Sequence, residues 1–256
     1  MTPRTHYFVF ALLFIALTGC EKCNPEPEPL PDGSVRLDMD LNWESEPYAV
    51  QQVATDHNGY PVRLDNLQLY VAPVELRNDA GEWTTTDDVF LIDYSVHAQN
   101  MTIEVEPGTY EAVRFGLGLP PEINTDIDPA SYPNDHPLSV LGSAGMFWTW
   151  ASGYIFVKYE GKFATEQGTQ LLESVSYHCG TDASYRTVTL ELPTPLVVAS
   201  ESETQATLTF DAAKALYGSA DAIDLAVDPV THNADGDSLG GRMMDLLINA
   251  WNIEVQ

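Results

Sequence analysis

The residues best suited to chemistry are five of the chain's six histidines, His57, His97, His136, His178 and His232, in a sequence with only 11 Lys and Arg against 38 Asp and Glu. Neutral imidazole is a good ligand for zinc and copper. Within residues 34–256, however, there is no His-x-His, His-Glu-x-x-His or Cys-x-x-Cys, so local spacing does not by itself define a metal site. His178 stands beside Cys179, whose thiolate would also suit a soft metal. Neighbours on a strand face opposite ways, so the two cannot easily hold one ion. Asn233-Ala234-Asp235-Gly236-Asp237 alternates oxygen ligands like a calcium loop but lacks the downstream glutamate, and reads as a polar turn. No Gly-x-Ser-x-Gly elbow occurs and no carboxylate pair stands out. Nothing in the residues points to an enzyme.

The densest aromatic stretch runs from Met146 to Gly161 and contains Trp148, Trp150, Tyr154, Phe156 and Tyr159. On a strand, Trp148 and Trp150 would share a face and could anchor a core. A different use of exposed tryptophans is stacking against a carbohydrate or an envelope protein.

These side chains need strands to position them. Val35, Leu37, Met39 and Leu41 alternate with Arg36, Asp38, Asp40 and Asn42, the period of a strand with one face buried. The same period recurs at residues 67–71, 101–105, 112–115, 154–157, 188–192 and 206–210. Asn78-Asp79-Ala80-Gly81 and Pro107-Gly108 are short enough to close antiparallel hairpins. The sequence therefore predicts a mainly β fold: an antiparallel β-sandwich or barrel-like single domain with long loops and a short C-terminal helix. That helix is expected over Met243 to Trp251. A shorter one is expected to start at Phe210, with Asp211 as its cap. The long polar passage from Pro120 to Gly145 holds Asp126, Asp128, Asp135 and His136, and a loop of that length is expected to contribute to a site.

Around this domain, residues 1–19 read as a lipoprotein signal peptide, with Arg4 before an apolar run too short to span a bilayer. Leu17-Thr18-Gly19 precede Cys20, the expected lipidation site. Residues 20–33 form a linker whose Pro-Glu repeats favour an extended backbone, and residues 34–256 form the domain. The expected location is the cell envelope, with a lipid anchor in the outer membrane, facing periplasm or cell surface, as the sole membrane contact. The formal charge is −27, and loss of Arg4 with the signal peptide makes it one unit more negative. Such a surface repels phosphate backbones, which argues against nucleic-acid binding, and attracts cations. Cys23 and Cys179 are too unevenly placed to form a disulfide framework.

Met146-Phe147-Trp148-Thr149-Trp150, then Ser152-Gly153-Tyr154 and Glu160-Gly161, resemble the signature of copper-binding proteins of the MbnP type. Tyr177-His178-Cys179-Gly180 is similar to that family's aromatic-His-Leu-Gly strand. Leu67 to Val71 with Val74-Glu75-Leu76, and Pro107 to Tyr110 leading to Phe115-Gly116-Leu117-Gly118, follow in the family's order. The resemblance implies Cu(I) held by histidines together with a tryptophan oxidised to kynurenine by a dihaem cytochrome c peroxidase-like partner. It points to His178 and His136 as ligands and to Trp148 or Trp150 as the oxidised residue. His57 and His97 are further candidates. Cys179 replaces the usual leucine, which implies either an extra soft ligand or a disulfide to Cys23. The function expected on this basis is copper acquisition or homeostasis without catalysis.

Overall fold

In the computed structural model of the protein, residues 30–96, 98–124, 128–143, 145–148, 153–166, 170–233 and 238–256 are described. His97, Trp150, Cys20, Cys23, Asp126 and residues 234–237 lie outside them. The first half of the chain folds into β1 (Gly33–Trp43), β2 (Glu46–Pro47), β3 (Val53–Thr55), β4 (Pro61–Asn78), β5 (Trp83–Thr86), β6 (Phe90–Asp93), β7 (Asn100–Val105) and β8 (Gly108–Leu117). A short helix, α1 (Pro121–Asn124), opens the long loop. The second half contains β9 (Phe147–Trp148), β10 (Gly153–Phe163), β11 (Glu173–Gly180), β12 (Arg186–Val198), β13 (Glu203–Asp211), β14 (Val230–Asn233), helix α2 (Ser238–Leu247) and β15 (Trp251–Val255).

The strands form two sheets in a sandwich-like, unclosed arrangement. The smaller sheet runs β15-β13-β1-β2, with β7 also paired to β1. The larger runs β12-β8-β4-β10-β11-β14, with β3, β5 and β6 along β4 and β9 on β10. Alternation decides which side chains meet between them: Val35, Leu37, Ala206, Leu208 and Phe210 of the smaller sheet face Leu67, Leu69, Val113, Phe115, Val157 and Tyr159 of the larger in one core. Burying each of the Val, Leu and Phe side chains among them is worth roughly 1.5–3 kcal/mol, so the sheets are held face to face by the apolar half of each strand.

The predicted fold class holds, and three local expectations change. Pro107-Gly108 does not close a hairpin: β7 pairs with β1 in one sheet and β8 with β4 and β12 in the other, so the turn carries the chain across the sandwich. β1 and β13 pair in parallel, as do β11 and β14, which a hairpin-based reading does not anticipate. The C-terminal helix spans Ser238–Leu247, and the residues from Trp251 form edge strand β15 against β13. Trp251 and Ile253 alternate with Asn252 and Glu254, a strand period that overrides the helical reading there. The turn after Phe210 is a 3-10 helix, Ala212–Ala215, capped by the Asp211 carboxylate, which accepts from the Ala213 amide.

The outer face of the larger sheet carries a second apolar cluster: Tyr70, Ala72, Leu119, Leu138, Met146, Trp148, Tyr154, Ile155 and Phe156. It is roofed by the long loop. The Tyr70 hydroxyl donates to the Pro137 carbonyl at 2.8 Å and the Tyr154 hydroxyl to the Leu138 carbonyl at 2.5 Å, which pins the loop to the strands beneath. Burial pushes both phenols above their ordinary range, so they remain donors.

Candidate metal centre

Beyond the edge of that roof, the outer face of the larger sheet becomes polar. β11 turns Val175, Tyr177 and Cys179 inward and leaves Ser176, His178 and Gly180 outside, as strand alternation requires. β10 does the same with Val157 and Tyr159 inside, Lys158 and Glu160 outside. In the paired register Lys158 stands opposite His178, and His178 stands opposite His232 of β14. Three neighbouring strands thus place a lysine and two imidazoles in one transverse row.

The two imidazoles meet edge to face, with ring centroids 4.7 Å apart and planes at 84°. On its other side, His178 Nε2 lies 2.7 Å from Glu160 Oε1. Glu160 Oε2 in turn accepts from Asn66 Nδ2 of β4 at 3.2 Å. The His178 hydrogen bond, partly opposed by desolvation, holds the Glu160 carboxyl below the usual carboxylate range. His232 is solvent-exposed, yet partial desolvation, and then the neighbouring His178, lower its pKa below the ordinary imidazole value, with Glu160 acting weakly the other way. His232 is therefore biased towards the neutral form that can donate a lone pair.

Trp148 approaches the same row. It is 5% exposed, and a Cβ added at Gly180, two residues beyond His178 on the same face, would lie 2.7 Å from Trp148 Cζ3 and 2.4 Å from the Tyr154 carbonyl oxygen. Only glycine leaves room for the indole to lie against β11 there. The loop ahead of Trp148 is tied down as well, since Lys158 Nζ donates to the Gly145 carbonyl at 3.1 Å. Gly145 has φ +78°, a conformation that suits glycine. So buried a ring offers no open face for stacking a sugar, which separates this geometry from the carbohydrate-binding alternative at Trp148.

Not every predicted ligand comes to this place. His136 sits in the long loop with its ring stacked on Tyr132 at 4.5 Å, and its Nδ1 accepts from the Leu138 amide at 3.1 Å. That nitrogen is committed to the loop's own backbone. His57 packs its ring against Tyr217 at 5.2 Å. Cys179 is buried on the opposite face of β11 from His178, with Sγ 3.8 Å from both the Gly240 carbonyl oxygen and Met243 Sδ, so it cannot supply a soft ligand beside His178. The bridge to Cys23, like His97 and Trp150, falls outside the described residues. Conversely, His232 and Glu160 were not among the predicted ligands. Nothing in local spacing links either to His178; the parallel pairing of β11 with β14 and the diagonal from β10 bring them together. Among the described residues, no group of three or more His, Cys, Asp and Glu side chains is arranged to hold a metal ion. The donor set is thus a pair of imidazoles with a carboxylate hydrogen-bonded to one of them and an indole close by, a set that suits a metal content with few ligands.

No curated protein matches the chain. Among solved structures, MbnP from Methylosinus trichosporium is similar at 15% identity and a TM-score of 0.49, covering 75% of this chain and 80% of that one. A family profile, MbnP, matches residues 32–234, from the first residues before β1 to just past His232. With most of its sandwich and both imidazoles of the row inside that match, the chain belongs to the MbnP family.

Proposed function

We propose that this protein is a lipid-anchored protein of the cell envelope that binds copper, as Cu(I), for acquisition or homeostasis. The observation that carries the reading is the side-by-side placement of His178 and His232 on a face that Trp148 also reaches. Two neutral imidazoles suit Cu(I), which accepts low coordination numbers. Indole is a poor ligand, and its oxidised form, kynurenine, offers an aniline nitrogen; Trp148 is the described tryptophan placed to supply it, given an oxidising partner of the dihaem peroxidase class. Bound there, copper would be held and passed on without catalysis. The acidic surface, −27 in formal charge, raises the local concentration of cations and favours a positively charged partner.

The test is a titration of the purified protein with Cu(I) against a competing chelator, in the wild type, His178→Ala and His232→Ala. Tight one-to-one binding weakened in both variants supports the reading. Equal affinity in all three proteins, or none in the wild type, rules it out. Intact mass of protein made beside its native partner reports the tryptophan: a gain of a few daltons, mapped by peptide analysis to Trp148, is expected.

A further inference from the structure

Four adjacent strands of the larger sheet carry a continuous line of polar contacts: Asn66 on β4, Glu160 on β10, His178 on β11 and His232 on β14. We propose that Glu160 is the positioning residue of this centre, fixing the tautomer and the ring orientation of His178 so that Nδ1, not Nε2, is the nitrogen offered to a metal beside His232. The proposal rests on the copper reading for its purpose and on geometry alone for its substance.

An ionised glutamate only accepts hydrogen bonds, so at 2.7 Å the proton between Glu160 Oε1 and His178 Nε2 belongs to the imidazole. A neutral ring has one N–H, and with that hydrogen on Nε2 the lone pair is left on Nδ1. Glu160 is not free to swing away, because its second oxygen is held by the Asn66 amide from the far side. The ring is bracketed too: Glu160 engages it from β10 while the His232 ring packs against it from β14. Lys158, the register neighbour of His178, donates to the Gly145 carbonyl, and its charge favours the ionised Glu160 carboxylate that accepts from His178. Metal-binding histidines commonly have their other nitrogen fixed by a carboxylate in this way, and loss of that partner typically weakens metal binding.

A rival geometry exists, in which a metal takes the place of the proton and Glu160 becomes a ligand itself. The two differ in what an amide can replace. Glutamine keeps an oxygen that accepts from Nε2–H but is a much poorer metal ligand than a carboxylate, whereas alanine keeps neither property.

The experiment records the imidazole nitrogen shifts of His178 by 15N NMR in the metal-free protein, above the pH at which the ring is protonated, and the Cu(I) affinity, for wild type, Glu160→Gln and Glu160→Ala. The amide spectrum of each variant serves as the check that the fold is unchanged. Expected are the Nε2–H tautomer in wild type and Glu160→Gln, a mixture of tautomers in Glu160→Ala, and a loss of affinity of roughly 10–100-fold in Glu160→Ala that Glu160→Gln largely restores. An Nδ1–H tautomer in the wild type overturns the proposal. So does a Glu160→Gln variant that loses as much affinity as Glu160→Ala, which would make Glu160 a direct ligand. A wild type that binds no copper overturns the copper reading, and the tautomer result then decides by itself whether Glu160 orients His178.

Discussion

Two polar clusters lie on the outer face of the same sheet, and they are built to opposite ends. Around β4, β5 and β8, Arg114 grips Glu75 through Nε and Nη2, the Thr85 hydroxyl donates to the same carboxylate, and the Arg114 guanidinium lies 4.0 Å above the Trp83 ring. Arg77 adds a second cation near Trp83 and pairs with Glu191. The carboxylates of Glu75 and Glu191 are each engaged by an arginine, so the charges of this cluster are paired with one another. Around β10, β11 and β14, the groups are two imidazoles and one carboxylate, and the hydrogen bonds among the described residues leave imidazole lone pairs without a donor. An ion-paired cluster stabilises a sheet; one with electron pairs to spare can take up an electron-pair acceptor such as a metal ion.

The largest expected effect separates the clusters by ligand. His178→Ala should lower Cu(I) affinity by about 100-fold or more, equivalent to about 2.7 kcal/mol, while the thermal midpoint barely moves. A variant that unfolds instead would place His178 among the structural residues.

Next comes the contact that joins the indole to the histidine strand. Gly180→Ala would set its methyl against the Tyr154 carbonyl and the Trp148 ring, at a cost of about 1–3 kcal/mol of stability from overpacking, and should also reduce copper affinity by displacing Trp148. Urea denaturation and chelator competition on one sample read both quantities; unchanged copper affinity would detach Trp148 from the centre.

Arg114→Ala is the converse experiment. It strands the half-buried Glu75 carboxylate and uncovers Trp83, so about 1–3 kcal/mol of stability should be lost while copper affinity is unaltered. A fall in copper affinity would mean that the two clusters are coupled through β4.

The smallest effect is in pH. The hydrogen bonds from Arg114, then from Thr85, outweigh desolvation and hold Glu75 below its ordinary value of 4.5. A carboxylate depressed in the folded state contributes stability that is present above the unfolded pKa and lost as pH falls through the folded one. Wild type should therefore lose stability more steeply than Arg114→Ala below about pH 4.5, as followed by denaturation at a series of acidic pH values. Parallel curves would show that the ion pair adds no pH-linked stability.

The strands and their buried faces could be read from residue order because alternation is a local signal: β1 with Val35, Leu37, Met39 and Leu41, and β13 with Ala206, Leu208 and Phe210, emerge as predicted. The Asp211 cap is local for the same reason, since a side-chain oxygen reaches an amide two residues on. The opposed faces of His178 and Cys179 also followed from the period of two. The surroundings of His136 were not legible: a histidine close in sequence to the tryptophan motif lies against Tyr132 and Leu138 of its own loop. Partners of β7 and β8 could not be read either, because a Pro-Gly turn permits a hairpin and a crossing between sheets alike.

Residue order alone was enough for the class of fold and the family, and it singled out His178, because each of these rests on patterns within a few residues. The companions of His178 were decided by tertiary structure. His232 reaches it through a parallel strand pairing that no turn specifies, and Glu160 through a diagonal across β10 and β11. Strand neighbours in a sandwich are chosen by how whole apolar faces bury against each other, and a side chain on the polar face is carried to its partners by that choice.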